Sequence, residues 1–168
     1  MAYRPVAMMV LAGAWLCAAH ADPRPTGRPG FPAADPRDVA AVTACLASAA
    51  DRTQLDACKT VVSRPCLDQP GGETTLGAST CQMRSASAWQ GALEGAYQAL
   101  MTSQSPGQIR ALRAAQSAWL RWREAGCAFE ASALEGGSLA GVIMAGCLAE
   151  TTAARAVSLI ARQRGPEF

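Results

Sequence analysis

Past residue 37 the apolar residues of this chain recur mostly at helical spacing, in an Ala- and Leu-rich texture with few β-branched runs. No alternating apolar and polar stretch is long enough to read as a strand. The pattern predicts an all-α fold, a small bundle of antiparallel helical hairpins. Asp35-Pro36-Arg37-Asp38 offers a cap, a proline at the first helical position and an acid in the first turn, so helix is expected from Asp38 to about Ala49. Thr53 with Asp56 resembles a capping box for a short second helix, which Arg64-Pro65 should stop. After the Pro70-Gly71-Gly72 turn, a long helix should run from near Thr75 to about Thr102, with Trp89, Leu93, Tyr97 and Leu100 as its apolar stripe.

Ser105-Pro106-Gly107-Gln108 combines an N-cap serine, proline at N1 and glutamine at N3, and opens a helix expected to reach about Leu134. Ile109, Leu112, Ala115, Trp119, Trp122 and Phe129 should lie near one of its faces. Gly136-Gly137-Ser138 breaks it, and Ser138 reads as the cap of the last helix, from about Leu139 to Arg162. That helix carries Leu139, Val142, Ile143, Leu148, Val157 and Ile160. Gly141, Ala145 and Gly146 give it a thin face suited to a close neighbour.

The first residues follow another pattern. Arg4 precedes an apolar run, Val6 to Ala18, and then Ala19-His20-Ala21, which reads as a secretory signal peptide over residues 1–21. The run is too short to span a bilayer, so no integral membrane segment is expected after cleavage. Bulky Trp15 and Leu16 before Cys17 speak against lipidation. Residues 22–37 hold Pro23, Pro25, Pro29, Pro32 and Pro36 with Gly27 and Gly30, the texture of a disordered or extended lead-in.

Removing that leader changes the chemical inventory. The whole chain has seven cysteines, one histidine and a formal charge of +2. Cys17, His20 and Arg4 all leave, so six cysteines and no histidine remain, with Lys59 the one lysine. Near-neutral charge without clustered Lys and Arg argues against nucleic-acid binding. Zinc is excluded on spacing, because Cys45, Cys58, Cys66, Cys81, Cys127 and Cys147 contain no close Cys pair. No metal or other cofactor is expected.

An even cysteine set behind an export signal reads as a disulfide framework, since the compartment beyond the membrane is oxidising. Cys127 and Cys147 each lie ten residues from Gly137, so in an antiparallel hairpin rising about 1.5 Å per residue their sulfurs come level. Similar symmetry holds roughly for Cys45 with Cys58 and for Cys66 with Cys81. Three sequential bridges are the preferred pairing, although six cysteines allow about 15 connectivities and the spacing argument is weaker for the first two.

Catalysis finds little support. Gly136-Gly137-Ser138-Leu139-Ala140 approaches a nucleophile elbow, but the final glycine is Ala140 and no imidazole base remains. Glu124, Glu130, Glu135 and Glu150 could in principle supply a carboxylate pair, yet their spacing selects none, and helix-surface solvation explains them. The Trp119-Leu120-Arg121-Trp122-Arg123-Glu124 stretch is basic and aromatic. It reads best as a core tryptophan with an arginine stem packed beside it.

From Cys66 to Ile160 the chain resembles the lysozyme-inhibitor LprI N-terminal-type family of exported bacterial proteins. The resemblance rests on Ala115 to Cys127, in which Gln116, Trp119, Arg123 and Glu124 stand in the most specific run, on Gly136-Gly137-Ser138, on Cys147, and on Thr152 to Arg155. Cys66, Cys81, Trp89, Tyr97 and Leu100 fit the earlier half. Residues 38–65 lie outside the core pattern and read as an added N-terminal helical hairpin before an LprI-like domain at 66–164. The sequence departs from the pattern at Gln90 and at Leu93-Glu94, where the family tends to have an acid and a Leu-Asn step, and adds Gly91 and Gly95.

The resemblance implies a small helical, disulfide-containing, periplasmic or secreted domain, and the missing nucleophile–base pairs and metal ligands argue against an enzyme. It also implies lysozyme inhibition, the activity for which the family is named. The expected partner is thus a protein, a lysozyme-type cell-wall hydrolase, with Glu130 and Glu135 near the hairpin turn as contact points. A near-neutral net charge supplies no long-range steering toward a basic vertebrate-type lysozyme. The alternative is a structural or interaction module of the cell envelope with no enzyme target.

Overall fold

A computed structural model describes residues 31–166, so the expected signal peptide and most of the lead-in lie outside the described residues. The described chain is all-helical: α1 (Pro36–Ser48), α2 (Arg52–Ala57), a 3-10 turn (Cys58–Thr60), α3 (Ser63–Leu67), α4 (Thr75–Ser103), α5 (Pro106–Ser132) and α6 (Ser138–Arg164).

Side-chain caps explain where most of these helices begin. Asp35 accepts from the Arg37 amide with Pro36 at N1, Thr74 accepts from the Gly77 amide, and Ser105 and Gln108 form a reciprocal capping box. Two starts differ from expectation. α2 is capped by Asp51, which accepts from the Gln54 amide while the Gln54 side chain accepts from Ala50, so Thr53 and Asp56 do not form its box. Asp56 instead pairs with Arg52 and Lys59, and the Arg52 hydrogen bond holds its carboxyl below the usual range. At α6 the N-cap is Gly137, with Ser138 the first helical residue and no side-chain cap bond.

Pro65 does not stop a helix. It occupies the third position of α3, within the first turn, where backbone N–H groups have no intrahelical partner and a missing one costs nothing. The turn that follows is tight. A Cβ at Gly77 would lie 1.9 Å from the Gly71 carbonyl oxygen, and Gly71 has φ of +86°.

The bundle is centred on α4 and α6, which run parallel: Ser79 Oγ donates to the Gly141 carbonyl near their starts, and Gln163 donates to the Ala96 carbonyl near their ends. α5 returns antiparallel between them in sequence. Small residues make the central contact, with Ala86, Ala88 and Ala96 buried on α4 and Ala145, Ala149, Ala153, Ala156 and Ala161 on α6. The larger core residues Trp89, Leu93, Leu100, Val157 and Leu159 share this core with Val42, Leu55 and Val62 from the N-terminal helices. Although α6 is long and apolar enough to cross a membrane, its apolar side here supplies the bundle core.

α1 is tied to α4 by Asp38, whose carboxylate accepts from Arg84 Nε at 2.9 Å and Nη2 at 2.8 Å. That pairing raises the affinity of Arg84 for its proton. Three disulfides, Cys45–Cys58, Cys66–Cys81 and Cys127–Cys147, join cysteines that are consecutive in the sequence.

The Cys127–Cys147 bridge spans 20 residues. Replacing both cysteines with serine should lower stability by about 3 kcal/mol through the freed denatured chain. Urea unfolding of the parent and double variant measures the difference, and equal midpoints would contradict it.

Candidate functional site

The residues of the Trp-Arg run are brought together at the centre of the α5–α6 contact. Arg123 is fully buried, and its Nη1 donates to Thr152 Oγ1 at 3.0 Å on α6 and to Gln90 Oε1 at 3.2 Å on α4. Its guanidinium carbon lies 4.8 Å from the Trp119 ring centroid and 5.3 Å from that of Phe31. Arg155 reaches the same tryptophan at 5.9 Å, and its Nε donates to Gln116 Oε1 at 3.0 Å. Gln116, Trp119, Arg123, Thr152 and Arg155 thus form one connected node across two helices.

Burial lowers the proton affinity of both arginines, and the Glu124 charge partly offsets this for Arg123. Both guanidinium groups nevertheless stay charged, because arginine starts from so high a value. Glu124 itself faces solvent outside the node, Gly137 is the N-cap of α6 and Ser138 its first residue. Nothing in the node provides a nucleophile with a base. Among the described residues no cluster of His, Cys, Asp and Glu could hold a metal.

Arg123 also explains how α5 presents its surface. Arg123, Cys127 and Ala131 are its buried residues, at a spacing of four, and Trp119 packs against the same core. Trp122 is therefore turned about 100° away from the buried arginine. Expected near the same face as Trp119, Trp122 and Phe129 are instead 59% and 77% exposed. Seven residues apart, they share one outward face. Leu139, at the start of α6, is 47% exposed beside the same turn.

Charge is segregated along this hairpin. Between Arg123 and Arg155 there is no Lys, Arg or Asp, and the four charged residues are Glu124, Glu130, Glu135 and Glu150. All four are exposed. Glu135 has φ of +47°, a left-handed conformation unusual for a residue with a Cβ, next to Gly136 at +80°. The turn therefore projects a carboxylate where a glycine would be conformationally easier.

Residues 66–159 match the family described as Lysozyme inhibitor LprI. The chain belongs to the LprI family. The match ends within α6 and excludes α1, α2 and the 3-10 turn, although Val42, Leu55 and Cys58 pack into the core shared with α4 and α6. No curated protein and no solved structure matches the chain.

The exposure of Trp122 and Phe129 had a signal in the sequence: the seven-residue spacing, displaced by one position from the Trp119–Arg123–Cys127 line. The acidic stretch was equally readable as a gap between two arginines. Phe31 carried no such signal.

The unpaired charge of Arg123 makes its neighbours unequal. Thr152→Val removes a neutral acceptor from a buried cation and should cost about 1–3 kcal/mol. Arg123→Met replaces the cation by an apolar stem and should leave stability within about 1 kcal/mol of the parent, or raise it. Denaturant melts of both variants test this ordering, and a reversal would refute it.

Proposed function

We propose that this LprI-family protein is exported and blocks a lysozyme-type cell-wall hydrolase by binding it through the α5–α6 hairpin. The observation that carries this reading is the pair of exposed aromatics, Trp122 and Phe129, on a hairpin whose four charged residues from 124 to 154 are all glutamates. Exposed aromatic side chains at the centre of a patch are the residue types that dominate protein interfaces. The surrounding carboxylates answer the charge problem raised by the near-neutral net charge. A basic enzyme is attracted by a local acidic field, and the sum over the molecule matters less at contact distance.

Rigidity supports the same reading. Cys127–Cys147 clips the hairpin on its inner side, and the Arg123–Thr152 hydrogen bond joins the arms a turn further on. A preorganised surface loses less freedom on binding. Disulfides are in keeping with a periplasmic or extracellular location, where such bonds persist. Glu130 and Glu135 act as rim contacts, with Trp122 and Phe129 as anchors and Leu139 extending the apolar centre. The protein performs no chemistry on its target in this reading.

The test mixes the oxidised protein with lysozymes of several types and follows both binding and lysis of cell-wall suspensions. Trp122→Ala and Phe129→Ala should each weaken inhibition by roughly 30-fold, mostly through faster dissociation. The Glu130→Gln, Glu135→Gln double variant should slow association and flatten its salt dependence. Absence of binding to every lysozyme would refute the reading and leave a cell-envelope module with another partner.

A further inference from the structure

Arg123 is a fully buried cation that donates hydrogen bonds to neutral oxygens, those of Gln90 and Thr152. Its Nε and Nη2 are buried without a hydrogen-bond partner. The Gln90 amide separates it from the nearest acid in this chain of bonds, since Gln90 Nε2 donates to Glu94 Oε1 at 3.1 Å. Glu124, on the same helix, is exposed, and a second cation, Arg155, also lies over the Trp119 ring. A buried guanidinium with unused donors is costly unless an anion completes it.

The cover over this group is not a helix. Residues 31–35 run as an irregular strap before α1, and the Phe31 ring lies over the guanidinium. Two hollows adjoin the strap. A recess of about 310 Å³ lies between Phe31, Pro32 and Ala34 on the strap and Ser87, Gln90 and Glu94 on α4. A hollow of about 690 Å³ opens beyond it toward Arg37 and Arg84. Two residues of the recess, Phe31 and Gln90, are themselves in contact with Arg123.

We propose that Arg123 is a carboxylate-binding site closed by the Phe31 strap. When Phe31 swings away, a carboxylate enters from the recess and accepts from Nε and Nη2, the paired geometry in which guanidinium binds carboxylate most strongly. Gln90 and Thr152 keep Nη1 in place, and the Trp119 ring lies against the cation. The recess suits a small acid or a chain terminus rather than a folded surface. This site is separate from the proposed hydrolase contact, since it is built on α4, the strap and the inward face of α5.

The experiment follows thermal unfolding of the oxidised protein with increasing propionate, against chloride at equal ionic strength. Two further arms use a short peptide with a free C-terminal carboxylate and the same peptide amidated. Propionate or the free-acid peptide should raise the Tm in a concentration-dependent way, and shift the Arg123 Nε–H resonance, while the amidated peptide does neither. Whichever of the two acids binds tighter names the source of the carboxylate. Gln90→Glu supplies an internal counter-charge, so that variant should stay folded and lose affinity by roughly tenfold to a hundredfold. Phe31→Ala should speed binding. A parent that responds to no carboxylate beyond chloride overturns the proposal, as does a folded Gln90→Glu variant that binds as well as the parent.

Discussion

The close approach of α4 and α6 through small side chains is the constraint from which the other features follow. Alanine loses no side-chain entropy on burial and lets helix backbones come near, but each one removes little apolar area from water. A core in which Ala86, Ala88, Ala96, Ala145, Ala149, Ala153, Ala156 and Ala161 are all buried therefore needs support from outside the apolar contact. The three disulfides and the Asp38–Arg84 pair supply it. Because α4 and α6 run parallel, the chain has to return along α5. That return helix packs mainly on α6 and leaves much of its circumference to solvent.

Much of this was legible in the sequence, for identifiable reasons. Asp35-Pro36 and Ser105-Pro106-Gly107-Gln108 are local signals whose physics is complete within four residues, and the helices begin where they stand. Thin positions on α6 announced a close neighbour, and Gly141 and Gly146 do lie against Ser79 and Gln82. Pro65 misled because a proline ends a helix only from its interior, and whether it lies in a first turn depends on a start that Val62 does not mark. Trp122 and Phe129 were misplaced for a tertiary reason. A charged side chain, Arg123, occupies a fully buried position of α5, so the apolar pattern there points a third of a turn away from the true core.

The same residue links scaffold and surface. By turning Arg123 inward, against Thr152, Gln90 and two aromatic rings, the fold removes a positive charge from the hairpin exterior. What is left outside from Glu124 onward is acidic and aromatic. The run from Trp119 to Cys127 and the surface proposed to bind a hydrolase are thus two faces of one helix, and the inward face sets the orientation of the outward one. Phe31 lay beyond such reasoning, because the contact joins residues far apart in sequence and rests on no periodic pattern.

The order of the bridges bears on how the molecule is made. Among the described residues the six cysteines are bonded in consecutive pairs, at separations of 13, 15 and 20 residues. As a chain emerges amino end first, the correct partner of Cys45, Cys66 or Cys127 is the next thiol to appear. Oxidation in order of appearance then gives the native set without shuffling, and no early bridge has to be undone for a later one. Three linked loops can lock in succession, the alanine core closing last, once α6 has arrived to lie beside α4.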